Sequence, residues 1–327
     1  MRAVFSAFPS LEVAARLAYW RLPVLRHLRD RVRARRARSA KPAKPPAPFD
    51  FALVEAALRG LGVAAGDLLI VHSAFSALKP CGLSPAAVIE RLKALVGPEG
   101  TLVMPAIPLI AHDPQGGDKF RDDAYAQVFD YDVRSNHIST GALPKALLAI
   151  PDARRSRHPG NPVVAWGSEA EVMIAGNLDP LPDGRPPSPC GPQSAWAYGY
   201  RCNAKIVAIG VDLVHSLTMI HVAEETFEED WPIPPDRWYR TRRFRVRDGD
   251  FEVETNVRER RHGWSQFYAE RRFSADLHRA GIARTVAAGS VQISMCEAAR
   301  LVDFLRHHPR PAYPYVFPLG FRSSGDQ

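Results

Sequence analysis

From residue 50 onward, unbroken apolar runs alternate with stretches of helical periodicity. Asp67-Leu-Leu-Ile-Val-His72, Thr101-Leu-Val-Met-Pro105 and Lys205-Ile-Val-Ala-Ile-Gly210 are apolar for four or five residues. Runs of that length fit strands covered on both faces. Asp50 suits the N-cap of a helix carrying Leu53, Ala56, Leu58 and Leu61, which the Gly60 to Gly62 region would stop. Ser84-Pro85 opens a second helix, with proline where its missing N–H costs nothing. Thr140-Gly-Ala-Leu-Pro-Lys145 opens a third, and a strand at residues 163–166 precedes a helix from Ser168. Residues 243–247 and 251–255 alternate polar and apolar around Asp248-Gly249, the pattern of a hairpin. Residues 264–278 and 294–305 read as helices with short strands between them, whereas 106–136 and 180–192 read as irregular. The expected class is α/β: a mixed, largely parallel sheet flanked by helices, with an antiparallel hairpin insertion.

The ends of the chain differ from this body. Phe5, Phe8, Leu11, Ala14, Ala15, Leu17 and Ala18 recur at helical spacing, followed by an arginine run over residues 26–38 and a proline-rich stretch over 40–48. Residues 1–48 hold 12 of the 43 Lys and Arg but only Glu12 and Asp30 of the 35 acidic residues, so the net charge of +8 belongs to this leader. Three segments are therefore expected: a basic amphipathic leader and linker (1–48), a folded domain (49–315) and a tail (316–327). A basic amphipathic segment can lie on an anionic membrane surface, which makes peripheral membrane contact an expectation for the leader. Basic charge without an aromatic platform does not point to nucleic acid.

The 327 residues, 46% apolar and 24% charged, fit a soluble globular protein. No stretch approaches the roughly 20 apolar residues of a membrane span. Cys81, Cys190, Cys202 and Cys296 are widely separated and lack C-x-x-C pairing, as expected of free thiols in a reducing cytoplasm.

Three histidines stand out from the 11. His72 ends a strand, where α/β folds gather their chemistry. His158 follows the cluster Arg154-Arg155-Ser156-Arg157 and precedes Pro159. His221 is three residues before Glu224, which on a helix places both on one face. A histidine near its ordinary pKa accepts a proton at neutral pH, and a carboxylate partner fixes its tautomer. G-x-S-x-G, H-E-x-x-H, a strand-linked G-x-G-x-x-G and a Walker loop are all absent, and His221-x-x-Glu224 alone is too short a ligand set for a metal. What remains is group transfer that needs a base.

The series Asp67-Leu-Leu-Ile-Val-His72-Ser73, residues 96–105, Thr140-Gly141-Ala142-Leu143-Pro144, Arg155-Ser156-Arg157-His158-Pro159 and Ala165-Trp166-Gly167 resembles the aminoglycoside 3-N-acetyltransferase family. Ser188-Pro189-Cys190-Gly191, Gly210-Val211 and Thr218-Met219-Ile220-His221-Val222-Ala223-Glu224 continue it in the family's order, over roughly residues 50–310. The resemblance implies an α/β acetyltransferase that uses acetyl-CoA as co-substrate, without a metal, on a small-molecule amine such as an aminoglycoside or other amino sugar, as a monomer or homodimer. By that resemblance His158 is the general base oriented by Glu224, with His221 as a further site residue. His72 and Ser73 match the block at the thioester end of CoA. Thr218, Ser188, Arg155 and Arg157 are the other expected cofactor contacts, the arginines toward the diphosphate. Lys145 and Leu217 depart from the family's acidic residue and asparagine. An aminoglycoside requires a strongly acidic cleft, for which Glu225, Glu228, Glu229 and Asp230 are the available acids.

Overall fold

A computed structural model describes residues 2–22 and 46–317, with positions 24, 28, 29, 31, 32 and 35 between them. Its strands are β1 (Leu68–Ser73), β2 (Thr101–Pro105), β3 (Val128–Asp132), β4 (Arg154–Arg155), β5 (Val163–Gly167), β6 (Lys205–Ile209), β7 (Tyr239–Asp248), β8 (Phe251–Arg260), β9 (Arg284–Ala288) and β10 (Val291–Glu297). Seven form one sheet in the order β4-β5-β2-β1-β6-β10-β9. The three strands read as apolar runs lie together at its centre, with β1 parallel to both β2 and β6. The flanking pairs are antiparallel.

Both faces of this sheet are covered, which explains why its central strands are apolar at every position. Leu69 and Val71 point into a core with Leu58, Leu92 and Val207. Their neighbour Ile70 points the other way, into a core with Val103, Ile206, Trp196 and Leu301. The side chains of Leu69 and Ile70 are completely buried, each contributing about 1.5–3 kcal/mol. Helices follow all four predicted starts: Ala52–Leu61, Pro85–Val96, Ala142–Leu148 and Ala170–Ile174. In the first two, the Ala52 amide donates to Asp50 Oδ1 at 2.8 Å and the Ala87 amide donates to Ser84 Oγ at 3.2 Å.

The second sheet, in the order β3-β7-β8, carries the hairpin. Both hairpin strands are ten residues long, so its foot reaches Tyr239 and Arg260, well beyond the alternating segment that predicted it. β3 lies inside the stretch read as irregular. Its alternation puts Phe129 and Tyr131 into a small core with Phe244, Val246 and Val257, and leaves Asp130 and Asp132 outside.

Other differences have local causes. Residues 291–297 are a strand, because Ile293 and Met295 join one core while Cys296 joins the other, and the helix begins only at Ala298. The helix expected over 264–278 is broken into a 3-10 segment, His262–Phe267, and a helix, Glu270–Arg279. The break falls where the Ala269 amide donates to Pro314 O and the Val316 amide to Phe267 O. Those bonds also extend the body past the expected boundary at 315.

The leader is not separate from the body. The helix Pro9–Arg21 buries Val13 with Ala269 and Val316. It also buries Glu12, which accepts from Arg271 Nη1 at 2.5 Å and pairs with Arg16 at 3.3 Å. Most of the arginine run and linker lies outside the described residues. No described helix is long and apolar enough to cross a membrane.

Candidate active site

Parallel strands present the ends of their backbones, and the turns that follow, along one edge of the sheet. Here β1 ends in His72 and Ser73, β2 ends in Pro105, and the chain leaving β6 runs through Ser216–Thr218 into the helix Ile220–Glu225. These segments enclose a cavity of about 420 Å³ lined by His72, Ser73, Thr218, His221, Arg260 and Tyr315 among others. Ser265, Tyr268 and Glu270 also line it. His221 and Arg260 also line an adjoining cavity of about 260 Å³, bounded by Asp113, Glu225, Arg242, Arg258 and Glu259. One imidazole therefore faces two spaces.

The i and i+3 spacing of His221 and Glu224 brings them together as expected, with His221 Nδ1 2.8 Å from Glu224 Oε2. Arg260 Nη1 donates to the same carboxylate oxygen at 3.2 Å, and Tyr315 Oη donates to Oε1 at 2.8 Å. Arg260 also contacts the Tyr315 hydroxyl. Burial opposes the charge on Glu224, yet His221, Arg260 and the hydrogen bonds outweigh it and hold the carboxyl below its ordinary range. His221 is shifted down, first by burial and then by Arg260, with Glu224 opposing. His221 Nδ1 lies between Glu224 Oε2, at 2.8 Å, and Arg260 Nη1, at 2.9 Å, so whether it donates or accepts is set by the tautomer. The result is an imidazole with a lowered pKa, held by a carboxylate and a guanidinium in the wall of a cavity.

His72 is also in that wall. It stacks against Trp196 with ring centroids 6.1 Å apart, and burial lowers its pKa to about 4. Its Nε2 is buried with no protein partner, an unmet polar group of the kind a bound ligand satisfies.

Four expected site residues lie elsewhere. The Gly160 amide donates to His158 Nδ1 at 3.0 Å, and His158 Nε2 lies 3.4 Å from Pro187 O. Burial lowers its pKa to about 4. Both ring nitrogens thus face backbone, His158 lines neither cavity, and Glu224 is oriented toward His221. The expected pairing of His158 with Glu224 is corrected accordingly. Gly160 explains the His158-Pro159-Gly160 motif: a Cβ there would lie 2.7 Å from Pro189 Cγ and 3.2 Å from His158 Cε1. Gly167 serves similarly, with φ of +122° and a would-be Cβ 2.1 Å from Gly100 O.

Arg155 is buried and donates to the carbonyls of Ala106, Val133 and Ser135, so its guanidinium is used in joining loops. Arg157 pairs with Asp248 at 3.0 Å over the ring of Phe251, at the hairpin tip. Neither arginine reaches the cavity of His221, which corrects their placement at a diphosphate beside it. Ser188 is buried and likewise outside the wall. Conversely, sequence reasoning missed Arg260, Tyr315 and Tyr268. The Arg258-Glu259-Arg260 run at the hairpin foot was a signal for the first, whereas the tyrosines arrive by tertiary packing alone.

The order of segments around the cavity, β1, β2 and the His221 helix, is that of the motif series, and a model of the aminoglycoside 3-N-acetyltransferase family matches residues 70–308. The chain belongs to that family. It is 30% identical over 267 residues to aminoglycoside N(3)-acetyltransferase VII of Streptomyces paromomycinus, covering 76% of this chain and 86% of the relative. Similarity to the type IV enzyme of Salmonella sp is also 30%, over 54% of this chain and 59% of that one. Among solved structures, AAC-IIIb in a binary complex with CoASH is 25% identical, with a TM-score of 0.60 over 78% of this chain and 94% of that one. AAC(3)-Xa shares the fold at 23% identity, with a TM-score of 0.63 over 79% and 91%. Family members are N-acetyltransferases, and among the described residues no group of three or more His, Cys, Asp or Glu is arranged to hold a metal.

Proposed function

We propose that this chain transfers an acetyl group from acetyl-CoA to an amine of a small amino sugar, with His221 as general base and Glu224 as its orienting carboxylate. The observation that carries the reading is the imidazole of His221, bound to Glu224 through Nδ1 and standing between two cavities. A reaction of two bound substrates needs such a shared wall. The CoA-bound relative supports acetyl-CoA as the donor, and the unmet Nε2 of His72 fits a polar ligand beside β1.

His221 Nε2 takes the proton from the acceptor nitrogen as that nitrogen attacks the thioester carbonyl. The imidazolium formed is stabilised by Glu224, whose charge Arg260 and Tyr315 hold in place. Ser73 and Thr218 line the same wall and supply hydroxyl donors toward the oxygen that gains charge. Departure of CoA as thiolate returns the proton to sulfur or solvent.

The test is thiol release from acetyl-CoA across a panel of aminoglycosides and simpler amino sugars, with His221→Asn beside the wild type. Loss of a general base lowers kcat by about 10²–10⁴. Full turnover in that variant would overturn the assignment, and no release with any amine would favour a non-catalytic binding protein of the same fold.

A further inference from the structure

We infer that the acceptor of this enzyme is an amino sugar joined to a nucleotide, and that a basic, aromatic cavity beyond the acceptor space holds the nucleotide. The inference rests on the reading of His221 as the base, with the donor in the larger cavity beside His72 and Ser73 and the acceptor in the adjoining one. His262 lines both that acceptor cavity, of about 260 Å³, and a further cavity of about 280 Å³. The further cavity is lined by Arg21, Lys119, Arg240 and Arg261, together with the rings of Phe120 and Trp264. Among the described residues its lining holds no carboxylate.

Cations outnumber acids in this region. Arg240 pairs with Glu259 at 2.7 Å and Asp122 at 3.6 Å, and Arg261 pairs with the same Asp122 at 2.9 Å. Arg21 and Lys119 have no carboxylate partner among the described residues. The acceptor cavity is built in the same sense. Arg242 and Arg258 line it and are only 6% and 5% exposed, yet Arg242 Nε and Arg258 Nη2 are buried without a hydrogen-bond partner. A buried guanidinium N–H that lacks an acceptor is complemented by an anionic oxygen. The acids of that cavity are already engaged: Asp113 and Glu259 pair with Arg242 at 2.9 and 2.5 Å, and Glu225 accepts from the Cys190 amide at 2.8 Å.

Aromatic rings supply the other half of the recognition. Phe120 and His262 have ring centroids 5.4 Å apart, and Trp264 and Phe267 have theirs 6.1 Å apart, all four lining the further cavity. Phosphate oxygens for Lys and Arg, and a flat base for the rings, are what a nucleotide presents. A polycationic acceptor would instead meet Arg21 and Lys119 as like charges. Arg21 comes from the helix Pro9–Arg21, and residues 1–69 lie outside the family match. This part of the wall is therefore one that the family resemblance does not cover.

The experiment titrates wild type, Lys119→Gln and the double variant Arg21→Gln/Lys119→Gln calorimetrically with UDP-glucosamine, glucosamine, UDP and CoA. Wild type is expected to bind UDP-glucosamine at least about tenfold tighter than either glucosamine or UDP. Lys119→Gln should weaken UDP-glucosamine and UDP about tenfold, and the double variant should weaken them further. Glucosamine and CoA should stay within about twofold, which also shows that the variants are folded. UDP-glucosamine binding no tighter than glucosamine, or undiminished in the double variant, would overturn the inference. CoA weakened as much as UDP-glucosamine would assign the cavity to the donor, and UDP-glucosamine binding no tighter than UDP would detach the nucleotide site from the acceptor; either result overturns it equally. None of these readouts uses turnover. The expected affinities combined with full turnover of His221→Asn would remove the base assignment and leave the nucleotide cavity standing.

Discussion

Replacing His158 by alanine separates the two histidines that the sequence offered as a base. The ring is buried and satisfied at both ends by backbone, at Gly160 N and Pro187 O. Removing it strands a buried amide and a buried carbonyl, at about 1–3 kcal/mol each, and leaves a ring-sized void. A total near 4 kcal/mol is expected at pH 7, or roughly 10 °C in Tm for a domain of this size. The cost depends on pH in a definite direction. Burial lowers the folded pKa to about 4 from an ordinary 6.5, so as pH falls the unfolded chain takes up the proton first. The stabilisation from the neutral ring is complete above pH 6.5 and is lost toward pH 4, a difference of about 3 kcal/mol. The gap between wild type and His158→Ala should therefore shrink from about 4 to about 1 kcal/mol across that window. Urea unfolding at pH 7 and pH 4.5 measures it, and turnover of the folded variant at 20 °C should stay within a few-fold of wild type. A variant with unchanged Tm and abolished turnover would refute the reasoning and return His158 to the role of base.

Three further outcomes follow from other parts of the molecule. Glu224→Gln keeps a hydrogen-bond acceptor but removes the charge that offsets the imidazolium, and kcat is expected to fall about 10- to 100-fold, or about 1.4–2.7 kcal/mol; steady-state kinetics showing an effect on KM alone would contradict this. Gly167→Ala places a Cβ against Gly100 O at a backbone angle unfavourable to L-residues, so calorimetry should show a loss of about 2 kcal/mol or more. Removal of residues 1–22 uncovers the partners of Val13 and Glu12, and a stability loss of about 2–3 kcal/mol is expected; an unchanged Tm would mean that the helix is dispensable to the fold.

The parallel centre of the sheet was legible because Leu68 to Val71 and Ile206 to Ile209 are apolar at every position, a pattern that only two covered faces demand. The His221 and Glu224 pair was legible because helical spacing is local. β3 was not, since a strand at a sheet edge needs only Phe129 and Tyr131 to face inward. The surroundings of His158 were not legible for a related reason: a histidine before proline has the same sequence whether its ring meets a substrate or, as here, the amide two residues on. Arg260 and Tyr315 are 36 and 91 residues from Glu224, and no periodicity connects them. The packing of the leader was not legible because a lone Glu12 among 12 basic residues has the same sequence whether it faces water or, as here, is buried against Arg271.

Arg260 is the last residue of β8, whereas the Gly249-Asp250 turn lies at the opposite end of the same strand. Ten residues of strand extend roughly 33 Å. The hairpin thus has one end at the candidate active site and the other, where Asp248 pairs with Arg157, away from it, the two held apart by a ladder of backbone bonds. Loops grafted at the turn, or a reporter attached there, would ride on the enzyme without touching its reacting groups, whereas a one-residue slip of β8 would point Arg260 to the opposite face and withdraw it from Glu224. The turn is where this protein can be given new attachments, and the foot is where its register must be kept.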